Sequence, residues 1–215
     1  MAAAIRGRKT FKVMGSADDA AAFSPAAVET NRQRVLESLR VAGWAPFHFF
    51  RGDGGLAEPW RAHVLWHPEC QRLAGKMRDW FPEMTPSNKL PNMMYACGAL
   101  VVVTWVPQFY HLEERKDSQV TTDEEHLAAS SAMVQNLLLM LTAHGMGTYW
   151  SSGGQLRSPE AFERLGIPPK ERLLAAVFVE FPETLGEARE RIAGRHRERR
   201  SDRWIREVAE LTEPD

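Results

Sequence analysis

At 215 residues, 44% of them hydrophobic and 26% charged, the chain is long enough for one substantial core and too short for two full domains. Its formal net charge of −1 argues against a general nucleic-acid binder, which needs a broadly basic field. No apolar run reaches membrane-span length, the longest being the strand-sized Ala99 to Trp105, and the start lacks a secretory apolar core. The expectation is a single cytoplasmic domain, 1–215, with no membrane and no nucleic-acid partner.

In chain order, Ser24-Pro25 reads as a helix start, with Val28, Val35, Leu36, Leu39 and Ala42 at helical spacing and an end near Gly43 to Pro46. Phe47 to Glu58 is a glycine-rich loop with unusual aromatic content. Trp60 to Leu65 alternates as a strand, with Trp60 read as core packing. His67-Pro68 opens a second helix that runs to Trp80-Phe81, and Pro82 to Pro91 reads as irregular. Leu100 to Trp105 is an apolar strand covered on both faces. Pro107 to Val120 is polar and reads as a surface excursion.

The next helix is placed from Asp123, with Thr122 as N-cap and Glu125 closing a capping box. Leu127, Val134, Leu137, Leu138 and Leu141 form its core stripe, and Gly145 stops it. Thr148 to Ser151 is a short strand, Pro159 to Leu165 a short helix, and Arg172 to Phe181 the strongest strand. Helices and strands mixed without strict alternation give an α+β layered domain. Cys70 and Cys97 show neither metal spacing nor a disulfide framework, and read as small buried fillers.

Charge is uneven despite the neutral total. Arg6, Arg8, Lys9 and Lys12 crowd the start, and eight arginines lie between Arg189 and Arg206. Arg8, Thr10 and Lys12 could grip a phosphate, because charge-assisted hydrogen bonds to its oxygens are strong and directional. A solvated basic tail is the simpler reading of that segment alone, and a solvated arginine-rich helix that of Arg195, Arg197 and Arg199. His111, Glu113, Glu114 and the Asp123 to His126 run lack a recognised zinc spacing, so no metal site is assigned. Ser151-Ser152-Gly153 lacks the Gly-x-Ser-x-Gly elbow of a serine hydrolase.

Taken in order, these pieces resemble the nitroreductase-like flavoprotein family. Arg8-Lys9-Thr10-Phe11-Lys12 resembles its N-terminal Arg-x-Ser-x-Arg/Lys phosphate grip. A helix ending in Ala45-Pro46, then Pro59-Trp60, then Gln135-Asn136 on the long helix follow in the family's order. Gly145-Met146-Gly147-Thr148-Tyr149-Trp150-Ser151-Ser152-Gly153 matches its Gly-x-Gly-x-x-Trp-x-x-Gly turn, and Arg197 and Arg199 its closing basic pair.

The resemblance implies a three-layer α+β fold with a central, mixed but mainly antiparallel sheet, and a homodimer with an exchanged C-terminal segment. It implies FMN as cofactor, NADH or NADPH as electron donor, and a small acceptor such as a nitroaromatic or quinone, reduced by a ping-pong mechanism. The residues implied for the flavin are Arg8, Thr10, Lys12, Pro46, His48, Trp150, Ser151, Ser152, Gly153, Arg197 and Arg199. Trp105, Phe109 and Tyr110 are candidates to stack on substrate, with packing as the alternative for all three. No catalytic side chain is assigned, because the cofactor would carry the chemistry. The loop from Phe47 departs from the family's polar pattern, which leaves His48 either a flavin donor or a packed loop histidine. It also motivates an alternative, a flavin-handling protein without steady turnover.

Overall fold

A computed structural model describes residues 2–50, 54–85, 87–185, 191–192, 201 and 203–207. A helix α1 (Ala2–Gly7) leads into a two-residue strand β1 (Lys12–Val13), then the long helix α2 (Pro25–Ala42). Ser24 caps α2, its Oγ accepting from the Ala27 amide at 3.2 Å, with Pro25 at the first turn where its missing N–H costs nothing. Strand β2 (Trp60–Trp66) runs directly into α3 (His67–Trp80), followed by α4 (Leu90–Ala96) and strand β3 (Ala99–Trp105). Helix α5 (Asp117–Ala143) is the longest element. Strand β4 (Gly147–Ser151), α6 (Pro159–Leu165), β5 (Arg172–Glu180), α7 (Pro182–Leu185) and β6 (Arg191–Ile192) complete the order.

The main sheet has strand order β2-β3-β5-β4, every pair antiparallel. All seven residues of β3 are buried, as its apolar run on both faces requires. The period of two along the strands divides the core. Val101, Val103, Val177 and Val179 pack with Val134, Leu137 and Leu141 of α5 and Val35 of α2. Leu100, Val102, Ala176 and Phe178 pack with Cys70 and Leu73 of α3, Met93 and Met94 of α4 and Phe162 of α6. The result is helices, sheet, helices: the expected three layers. Among the described residues a parallel bridge, Thr10 to Thr148, lies on the outer edge of β4.

Three expectations are corrected. Helix α5 starts at Asp117, not Asp123: Lys116 is its N-cap, and the Lys116 amide donates to Gln119 Oε1 at 2.9 Å. Thr122 lies inside the helix with its hydroxyl donated back to Ser118 O at 2.8 Å, which is how an internal threonine is accommodated. Leu127 belongs to the exposed side of α5 and not to its core stripe. Finally, the irregular reading of Pro82 to Pro91 runs past the start of α4, where Pro91 sits in the first turn.

At 27 residues α5 is long and apolar enough to cross a membrane. Here it is a core helix, its Met133, Val134, Leu137 and Leu141 buried against the sheet. Asp123 near its start is also buried, accepting hydrogen bonds from the Gln108 and Phe109 amides at 2.6 and 3.1 Å. That carboxylate ties the chain leaving β3 to the first turns of α5.

Candidate functional site

The parallel bridge on β4 decides where the N-terminal cations lie. Phe11 donates its amide to Thr148 O at 2.9 Å, and Thr10 pairs with Thr148. Lys12 places its ammonium 5.1 Å from the centre of the Tyr149 ring, within cation–π range. Arg8 follows the last turn of α1, its amide bonded to Ala4 O at 3.0 Å. Arg8, Thr10 and Lys12 therefore belong to a segment bound to the strand that carries Trp150 and Ser151.

Beyond β4 the chain reverses in a small turn. Gly153 is buried and left-handed at φ 95°, a conformation that favours glycine. A Cβ there would fall 2.3 Å from Leu173 Cδ2. The Gly153 amide donates to Ser151 Oγ at 3.1 Å, while Ser152 is exposed and Trp150 partly so. From Thr148 to Ser151 is about 10 Å at ~3.3 Å per strand residue. A segment bearing two cations and a hydroxyl at one end and a small-residue turn at the other offer the donor types that a phosphorylated flavin would need.

Other expected residues lie elsewhere. Pro46 and His48 line a groove of about 550 Å³ with Phe47, Glu125, Ala128 and Ala132 of α5. His48 Nδ1 is 3.2 Å from Glu125 Oε2, and its ring stacks on Phe49 at 4.7 Å. Trp105 is buried and pairs with Trp60 across β2 and β3, the packing arrangement that the sequence left as its alternative. Phe109 is half-buried beside the Asp123 carboxylate. Tyr110 is exposed, with Arg172 and Arg115 over its ring at 5.1 and 5.5 Å. Arg197 and Arg199 lie outside the described residues.

One polar cluster has no counterpart in the sequence reading. His63 Nε2 meets Glu171 Oε2 at 2.7 Å, and Thr104 donates its hydroxyl to the same oxygen. Burial alone would raise the Glu171 carboxyl, but the hydrogen bonds from His63 and Thr104, with the charges of His63 and Arg61, outweigh it and hold the pKa below the ordinary glutamate range. The available signal was a histidine in β2 and a threonine in an otherwise apolar β3. Polar side chains directed into a core require partners, and neighbouring register supplies them.

Comparison with known proteins identifies the family. The profile of the Nitroreductase family matches residues 20–179. The chain is 27% identical over 169 residues to "Putative NAD(P)H nitroreductase YfhC" of Bacillus subtilis (strain 168), covering 76% of this chain and 80% of that one. Among solved structures, "a putative nitroreductase in complex with fmn" from Desulfovibrio desulfuricans aligns at 21% identity and TM-score 0.51, over 88% of this chain and 90% of that one. Nitroreductase CinD from Lactococcus lactis, in complex with chloramphenicol, aligns at 13% identity and TM-score 0.58, over 92% and 96% of the two chains. With a four-stranded antiparallel sheet between helical layers and a family match from the start of α2 through β5, the chain belongs to the nitroreductase family.

Proposed function

We propose that this protein is an FMN-dependent oxidoreductase that takes electrons from NADH or NADPH and passes them to a small electron-poor acceptor of the nitroaromatic or quinone class. The observation that carries the reading is the Thr10–Thr148 bridge, which joins the N-terminal cations to the strand ending in the Ser151 to Gly153 turn. When bound, FMN would supply the chemistry of accepting and releasing a hydride equivalent.

The chain's own residues bind and orient. Arg8 and Lys12 neutralise the phosphate, and the Thr10 hydroxyl donates to it, with Arg197 and Arg199 closing from the C-terminal segment. The small turn lets backbone come close to the ring edge, where a bulkier side chain would hold it off. Donor and acceptor occupy the same place in turn in this reading, the ping-pong sequence that the family resemblance implies.

Pro46 and His48 reach the flavin of a second copy in this reading, since they line a groove against α5 away from the turn of their own protomer. The surface supports such an assembly. Trp44, Phe50 and Val41 at the end of α2 and in the following loop are exposed, as is Leu127 on α5. Apolar exposure of this extent favours burial against a partner, and a homodimer is the simplest one.

A second reading, a flavin-handling protein without steady turnover, draws support from the loop after α2. His48 is engaged by Phe49 and Glu125 within its own protomer, and Phe47 packs edge-on against Trp60 at 5.6 Å. The separating experiment is steady-state oxidation of NADH and NADPH by FMN-loaded protein with a nitroaromatic or a quinone. Turnover with either acceptor supports the oxidoreductase; stable flavin binding without turnover supports flavin handling.

A further inference from the structure

The turn after β4 is held by a residue that lies outside it. Gly153 and Gly154 are both left-handed, at φ 95° and 52°, so backbone preference alone does not fix the path of residues 151–154. Leu156 gives one anchor: it is fully buried, and its amide donates to Gly153 O at 3.0 Å. Arg157 gives the other. Its Nε donates to Ser152 O at 2.6 Å, and its Nη1 to Leu173 O at 2.9 Å. Leu173 lies on β5, an inner strand of the sheet, paired with Thr104.

In a trans peptide the carbonyl and the following N–H point in opposite directions. A bond to Ser152 O therefore also sets the direction of the Gly153 N–H, which here meets Ser151 Oγ. One guanidinium thus orients the 152–153 peptide and ties it to the sheet. Lysine could not replace it, since a single ammonium lacks the planar fork that spans two carbonyls. An arginine present for solubility alone would gain nothing from two backbone acceptors.

We infer that Arg157 is the positioning residue of the flavin-facing turn, fixing the peptide planes that would meet the ring edge; this rests on the flavin reading above. Its side chain also lines a cavity of about 500 Å³ with Phe162, Ile167, Glu171 and Leu173. That opening gives a small cation such as guanidine access to the place Arg157 would leave.

The test compares Arg157→Ala and Arg157→Lys with the unaltered protein. Without flavin, amide hydrogen exchange over residues 152–156 should quicken about tenfold in both variants, as expected for loss of a charge-assisted hydrogen bond, while β3 keeps its protection. With FMN bound, flavin reduction by the nicotinamide donor should slow by a similar factor, and added guanidine should restore both properties of Arg157→Ala but not of a Leu156→Ala control. Unchanged exchange over 152–156 would overturn the clamp. Faster exchange with an unchanged reduction rate would overturn the positioning role and leave the flavin reading intact. If the unaltered protein binds no FMN, the flavin reading and the positioning role both fall, whatever the exchange data give.

Discussion

Gly153 and Leu173 are in such close apposition that a methyl group on Gly153 would sit 2.3 Å from Leu173 Cδ2. The contact presses the turn after β4 against the strand that also anchors Arg157. Gly153→Ala adds a steric clash to a left-handed φ of 95°. We expect a loss of roughly 2–5 kcal/mol, from backbone strain of ~1–2 and overpacking of ~1–3 kcal/mol. Chemical denaturation measures it, and a Gly153→Ala/Leu173→Ala pair should lose less than the sum of the single changes, because removing Leu173 Cδ2 removes the clash.

The phosphate assignment separates FMN from riboflavin. Lys12→Ala and Thr10→Val should each weaken FMN binding roughly tenfold, the effect of losing about 1.5 kcal/mol of charge-assisted hydrogen bonding. Riboflavin affinity should not move. Thr10→Val keeps the backbone bridge to Thr148, so a loss there reports the hydroxyl and not the fold. Equal losses for both ligands, measured by fluorescence quenching, would place the phosphate elsewhere.

His67 begins α3 and is buried, its Nδ1 3.4 Å from Cys97 O and its ring edge-on to Phe23 at 4.7 Å. Burial pushes its pKa below the ordinary histidine value, against the smaller opposing effects of the Cys97 carbonyl and Glu69. The unfolded chain therefore binds a proton more readily than the folded one, and stability is lost as pH falls from about 6.5 towards the folded pKa. The slope cannot exceed about 1.4 kcal/mol per pH unit for one proton. His67→Gln should flatten unfolding free energy against pH in that window; an unchanged slope would assign it to other groups.

The groove between the loop after α2 and α5 carries the assembly claim. Ala128→Glu places a carboxylate among Pro46, Phe47 and Ala132, on an exposed stretch of helix where the folded protomer should tolerate it. Sedimentation should show a dimer for the unaltered protein and a monomer for the variant, with FMN affinity falling together with the dimer. A variant that stays dimeric would move the interface off this groove.

The elements legible in the sequence were those with their own punctuation. Ser24-Pro25 and Pro159 each marked a helix start, and the structure adds a serine cap at both, Ser24 and Ser158 accepting the Ala27 and Ala161 amides. The start of α5 was misplaced because Thr122 to Glu125 imitates a capping box, while the true start at Lys116 has no side-chain cap of the usual kind. Prolines at 82, 86 and 91 concealed α4, although Pro91 occupies a turn position that a helix tolerates.

In the candidate site, the residues of the β4 turn are legible in the sequence because they follow one another in the chain. Their neighbours are not. Thr10 beside Thr148, His63 with Thr104 and Glu171, and Arg157 on Ser152 and Leu173 depend on strand register and on how one loop folds over another. No local pattern encodes those distances. Pro46 and His48 were named from the resemblance, and one protomer sets them in a different groove.

The most direct measurement is the visible absorption spectrum of the protein loaded with FMN, recorded anaerobically before and after NADH or NADPH. The account predicts a bound-flavin spectrum that bleaches on addition of at least one donor and returns when a nitroaromatic or quinone is added. A protein that takes up no FMN, or holds it unbleached by either donor, would contradict it.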